Sequence, residues 1–143
     1  MKSIKKYIII LLSLLLLAGC ASPTAKTIDI NDDSIPSIFS VIGEKTITYT
    51  DSSQKDGVRS TELTYKSGEL SEEEIVEYTE YLLDKENYIT TQEVSEVSAT
   101  VTTWQIAKES KRNDNIILIT FNYESRGEVI INYATGPGTL TRY

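Results

Sequence analysis

Apolar and polar residues alternate along the last third of the chain. Ile117, Ile119, Phe121 and Tyr123 fall on one side of an extended segment, and after a short turn at Glu124 to Gly127 so do Val129, Ile131 and Tyr133. A period of two marks a half-buried strand, and two such runs across a short turn predict a β-hairpin. Weaker alternation comes earlier. Ile47 and Tyr49 lie opposite threonines, Leu63 and Tyr65 repeat the pattern, and Asp51 to Gly57 reads as the connection of a long hairpin. Tyr88 to Ser95 and Val101 to Glu109 are strand-like as well.

One segment has a helical period instead. Ile75, Tyr78, Thr79, Leu82 and Leu83 share roughly one side, with Glu73, Glu77, Glu80 and Asp84 mostly elsewhere, and the pattern stops near Asn87. Ser71-Glu72-Glu73-Glu74 just before it fits a capping box, in which the Ser71 hydroxyl accepts from the Glu74 amide and the Glu74 carboxylate returns the bond. The acids also suit the positive end of a helix. Polar loops at Lys111 to Asp114 and around Ser98 let neighbouring strands pair antiparallel. The predicted architecture is α+β in the order β-β-α-β-β-β-β, an antiparallel sheet of about six strands with one main amphipathic helix packed on one face.

The chain begins differently. Lys2, Lys5 and Lys6 precede an apolar stretch from Tyr7 to Leu17 broken only by Ser13, which is a signal-peptide layout. A permanent membrane helix needs about 20 apolar residues, more than this stretch supplies. It ends in Leu17-Ala18-Gly19-Cys20, which resembles the lipobox of bacterial lipoproteins at all four positions. The resemblance implies a diacylglyceryl group on the Cys20 thiol and cleavage between Gly19 and Cys20. Two acyl chains, at roughly 0.8 kcal/mol per buried methylene, make a stable anchor. Residues 1–19 are then the leader and 20–34 a lipidated flexible tether, small and polar with too little to bury. Residues 35–143 form a single α+β domain. Pro36 and Gly43 bracket a short helical turn at its start.

Charge narrows the partners. The chain carries 14 basic and 21 acidic residues, and removing the leader takes away three lysines and no acids. An acidic surface repels phosphate backbones and anionic headgroups, so no nucleic acid is expected and the lipid alone holds the domain at the membrane. It is compatible with a cationic partner, with calcium, or simply with solubility.

Missing residue types exclude several chemistries. There is no histidine and no cysteine besides Cys20, which removes zinc hydrolases, histidine triads, cysteine enzymes and internal disulfides. No phosphate-binding glycine loop is present, and no cofactor or metal is expected. Asp29, Asn31 and Asp33 imitate the opening of a calcium loop, but Ser34 and Ser40 stand where it needs glycine and glutamate. Glu73 with Glu77 could offer the paired carboxyls of a glycosidase, or simply an exposed helix face. Ser67 with Lys66, and Ser110 with Lys111, are adjacent residues that point to opposite faces of a strand. Gly136-Pro137-Gly138 reads as a tight final turn or an anion-binding nest. Most tyrosines lie in phase with strand cores. Trp104 and Tyr143 do not assign to the core, and exposed together they would mark a binding patch.

The run from Pro36 to Thr48, the segment from Tyr78 to Leu82 and Gly136-Pro137-Gly138-Thr139-Leu140 are similar to small lipoproteins of low-GC Gram-positive bacteria. That resemblance implies no activity and no catalytic residue. The expectation is a lipid-anchored protein on the extracytoplasmic face of the cell membrane, a non-enzymatic binding or interaction module for an envelope protein or glycan. A cell-wall glycan hydrolase using Asp and Glu alone, and a purely structural envelope protein, are the alternatives.

Overall fold

The computed structural model describes residues 26–98, 100–112 and 114–140, so the leader, Cys20 and Tyr143 lie outside the described residues. The alternating segments become strands: β3 (Ile47–Lys55), β4 (Val58–Tyr65), β5 (Ile89–Glu96), β6 (Val101–Glu109), β7 (Asn115–Glu124) and β8 (Val129–Pro137). They form one antiparallel sheet in the order β3-β4-β8-β7-β6-β5. Among the described residues the chain is largely β, and the α+β expectation holds broadly, with a single helix of more than one turn.

Register explains which face is buried. Trp104 pairs with Phe121, Phe121 with Ile131 and Ile131 with Leu63, while the next row runs Ile106, Ile119, Tyr133 and Thr61. Side chains alternate along each strand, so these rows share one face. All eight residues are buried. The opposite face carries Gln105, Thr120, Asn132 and Glu62 in register, half-buried among their own neighbours. Gln105 Nε2 donates to Thr120 Oγ1 at 3.2 Å across that surface.

The apolar face is covered by helix α2 (Glu72–Lys85), by a hairpin of β1 (Thr27–Ile30) and β2 (Asp33–Pro36), and by the short helix α1 (Ile38–Val41). Helix α2 starts as its sequence predicts. The Glu74 amide donates to Ser71 Oγ at 3.2 Å, and Glu74 Oε2 accepts from the Ser71 amide at 3.0 Å. Ile75, Tyr78 and Leu82 are its buried residues. It ends where Asn87 takes a left-handed φ of 61° and the Tyr88 amide donates to the Leu82 carbonyl.

The hairpin corrects the tether assignment for residues 27–34. Ile28, Ile30 and Ile35 are buried with Ile38 in the same core as α2. Polar neighbours hide a period of two there, because each strand has only four residues around an Asn31-Asp32 turn. The Ser37 amide closes the hairpin on the Lys26 carbonyl at 2.9 Å. Buried Asp33 ties it to the β6–β7 loop, accepting from Ser110 Oγ and, at 2.9 Å, from the Lys111 amide.

Two turn assignments also change. The first hairpin connection is only Asp56-Gly57, both at positive φ, and Asp51–Lys55 belongs to β3. Aspartate-glycine is a preferred two-residue hairpin turn, and the polar strand is held by pairing, with Ser52 facing Thr61 and Ser53 facing Ser60. Gly136 and Pro137 are the end of β8 and not a turn. A Cβ at 136 would lie 2.8 Å from Val58 Cγ2, so a larger residue there would make Val58 shift.

Tyrosine hydroxyls thread the core. Tyr78 donates to the Pro36 carbonyl at 2.7 Å, so the 3.0 Å contact between Tyr78 and Tyr133 has Tyr133 as donor. Tyr78 also meets Phe121 edge to face. Among the described residues no helix is long and apolar enough to cross a membrane.

Candidate functional site

The apolar face is not covered evenly. Towards the β5 edge, α2 stands off the sheet and leaves a groove of about 270 Å³. Ile75, Val76, Thr79 and Leu83 wall it from the helix, Thr90 and Val94 from β5, and Trp104 and Tyr123 lie beneath. Thr79 and Leu83, predicted on the core side of the helix, face this opening.

Trp104 is therefore not an exposed patch residue. It is 8% exposed and stacks on Phe121 with ring centroids 4.9 Å apart and planes 11° from parallel. Its indole Nε1 donates to Thr79 Oγ1 at 3.3 Å, and the Thr79 hydroxyl donates to the Ile75 carbonyl at 2.8 Å. With its one donor engaged, the indole offers the groove hydrocarbon. The expectation failed on exposure because Trp104 is in phase with Ile106 on the buried face, at the margin the helix leaves open. Tyr143, its expected companion, and Cys20 lie outside the described residues.

The rim is unusual for its exposed apolar groups. Val76 is 44% exposed and Val94 is 68% exposed, on opposite walls of the same groove. The two elements that carry them are rich in exposed carboxylates. Glu72 lines the groove, Glu73 and Glu80 lie on the exposed surface of α2, and Glu93 and Glu96 lie on exposed β5. Residues 67–107, which build α2, β5 and the start of β6, hold ten acids and one base, Lys85. The rest of the chain after Gly19 holds eleven acids and ten bases. The acidity of the chain is thus concentrated in the segment that walls the groove. That signal lay in the sequence and is lost when charge is summed over the whole chain.

A second depression, lined by Asp33, Ser34, Glu86, Asn87, Lys108, Glu109 and Lys111, holds an internal ion pair. Lys108 Nζ donates to the Glu86 carbonyl at 3.3 Å, lies 3.4 Å from its carboxylate and sits 4.6 Å over the Tyr88 ring. With Asp33 also bonded, this is a latch between hairpin, helix end and sheet.

The remaining candidates are taken up structurally. Ser110 donates to Asp33 and Ser67 to the Arg126 carbonyl. Asp29 accepts from Ser34, and no group of three or more acids among the described residues is placed to hold a metal ion. Glu73 and Glu77 are exposed on α2. Two carboxyls are held below the ordinary carboxylate range: Glu69 by the Thr46 amide and then its hydroxyl, and Glu74 by Lys45, then by the Ser71 amide. Burial pushes the hydroxyls of Tyr65, Tyr78, Tyr88 and Tyr133 upward, so they stay protonated at neutral pH.

Compared with known proteins, the chain matches no family model and no curated protein sequence.

Proposed function

We propose that this protein is a non-enzymatic binding module, held on the extracytoplasmic face of the cell membrane by a lipid on Cys20, with the groove between α2 and β5 as its binding surface. The observation that carries the reading is the pairing of Val76 and Val94, exposed on facing walls of an apolar groove over Trp104. Exposed apolar surface rimmed by polar groups marks interaction sites. The anchor rests on Leu17-Ala18-Gly19-Cys20 behind a short apolar leader. A two-carboxylate glycan hydrolase needs its two carboxyls converging in a cleft, whereas Glu73 and Glu77 stand exposed on α2.

Proximity cross-linking from the protein in its native membrane tests the surface. One reproducible partner is expected, captured by wild type and lost with Val94→Lys or Val76→Lys. The rim valines are better probes than Trp104, whose removal would open the core. Capture that ignores both substitutions would place the surface elsewhere. For the anchor, wild type should incorporate a fatty-acid analogue and Cys20→Ala should not; equal labelling would remove the lipid from the reading.

A further inference from the structure

The identity of the occupant can be narrowed, on the reading that the groove is the binding surface. We propose that it takes a cationic peptide segment, which inserts one large apolar side chain between α2 and β5 while flanking lysines or arginines meet the carboxylates on either lip.

Volume limits what enters. Small-molecule sites run from about 300 to 1,000 Å³, and about 270 Å³ over Trp104 has room for one large side chain and little more. The lining is apolar apart from Glu72, Thr79, Thr90, Thr102 and the hydroxyl of Tyr123, and Thr79 is already bonded to Trp104 and Ile75. The inserting group is therefore hydrocarbon.

Charge defines what surrounds it. Glu72 lines the groove on the helix side, with Glu73 and Glu80 exposed on the same helix, and on the strand side Glu96 is paired in register with Thr102, which also lines the groove. Lys85, the one base in residues 67–107, comes two residues after Leu83 and so projects about 200° round the helix from it. No cation of the segment neutralises the lips. An apolar group carried by an anionic or neutral chain would leave these carboxylates unanswered, whereas a basic chain pairs with them on both sides.

Backbone geometry decides how the segment docks. β5 is an edge strand, but its pairing with β6 is irregular between Thr90 and Gln92 and again between Gln92 and Ser95. Bulges blunt a sheet edge against strand addition. Insertion of a side chain from above asks nothing of that edge.

The test uses the full chain as cells produce it, held in nanodiscs of zwitterionic lipid, and a Trp-free pentapeptide Lys-Lys-Leu-Lys-Lys capped at both ends. Trp104 is the only tryptophan, so its fluorescence reports entry into the groove. Binding should saturate and weaken as salt rises. Exchanging the central leucine for serine, the four lysines for glutamine, or Val94 for lysine should each weaken it about tenfold or more. Equal binding of the serine peptide would reduce the contact to surface charge, and equal binding of the glutamine peptide would remove charge from it; either overturns the proposal. No binding of any peptide also overturns it. In that event, a membrane partner still lost with Val94→Lys keeps the groove as the binding surface, and a partner indifferent to Val94→Lys removes both.

Discussion

The Tyr78 hydroxyl has one proton, and the Pro36 carbonyl receives it. Changing Tyr78 to Phe leaves that half-buried carbonyl and the Tyr133 hydroxyl each short of a partner, which costs about 1–3 kcal/mol. Tyr88 offers the contrast. Its hydroxyl is buried without a hydrogen-bond partner among the described residues, while its ring carries the Lys108 contact. Tyr88→Phe keeps the ring and should leave stability within about 0.5 kcal/mol of wild type, or raise it. Chemical denaturation of the two variants beside wild type checks the pair; equal losses would mean that the hydroxyl network is not what distinguishes them. Trp104 teaches a related lesson. Its side chain has one face against Phe121 and one edge on the groove, and a periodicity of two reports only which face of the strand it occupies. Whether a helix covers that point of the face depends on where α2 lies, which no local pattern records.

Elements were legible wherever burial repeats along the chain. α2 announces itself through Ser71, Glu74 and the three-to-four spacing of Ile75, Tyr78 and Leu82, because capping and amphipathicity are local properties. β7 and β8 do so because each buries one face continuously. The polar end of β3 does not, since its residues are exposed and its conformation comes from pairing with β4. β1 and β2 were missed for the same kind of reason, with four residues each and polar side chains between the isoleucines. Their contribution is large nonetheless. Ile30 is 1% exposed, so Ile30→Ala should destabilise the domain by about 2–5 kcal/mol. A segment serving only as a tether would lose nothing, and a thermal or denaturant melt of this one variant separates the two.

At the scale of the molecule, burial of four tyrosines sets an alkaline limit. Tyr65, Tyr78, Tyr88 and Tyr133 all have hydroxyls pushed up by desolvation, the folded state therefore holding its protons beyond the unfolded value of about 10. Their contribution is complete below that value and is lost as pH rises above it, because only the unfolded chain then releases protons. Each tyrosine removes up to about 1.4 kcal/mol per pH unit. Against a total of about 5–15 kcal/mol for a domain, the fold should collapse between about pH 11 and 13. With no histidine in the chain, stability should be nearly flat from about pH 6 to 9. A circular dichroism titration checks both; a midpoint at neutral pH would contradict them.

The hairpin that fills the core from Thr27 onward also sets a radius. From Cys20, the proposed lipid site, to the first residue of β1 is seven residues, and seven residues drawn out fully reach no more than about 25 Å. With the proposed lipid in place, a protein leashed this closely would work in the layer of water next to the bilayer. The acidic groove would then meet only what is embedded in that membrane or arrives at it, and a basic segment fixed deeper in the envelope would have to come to the bilayer to be bound.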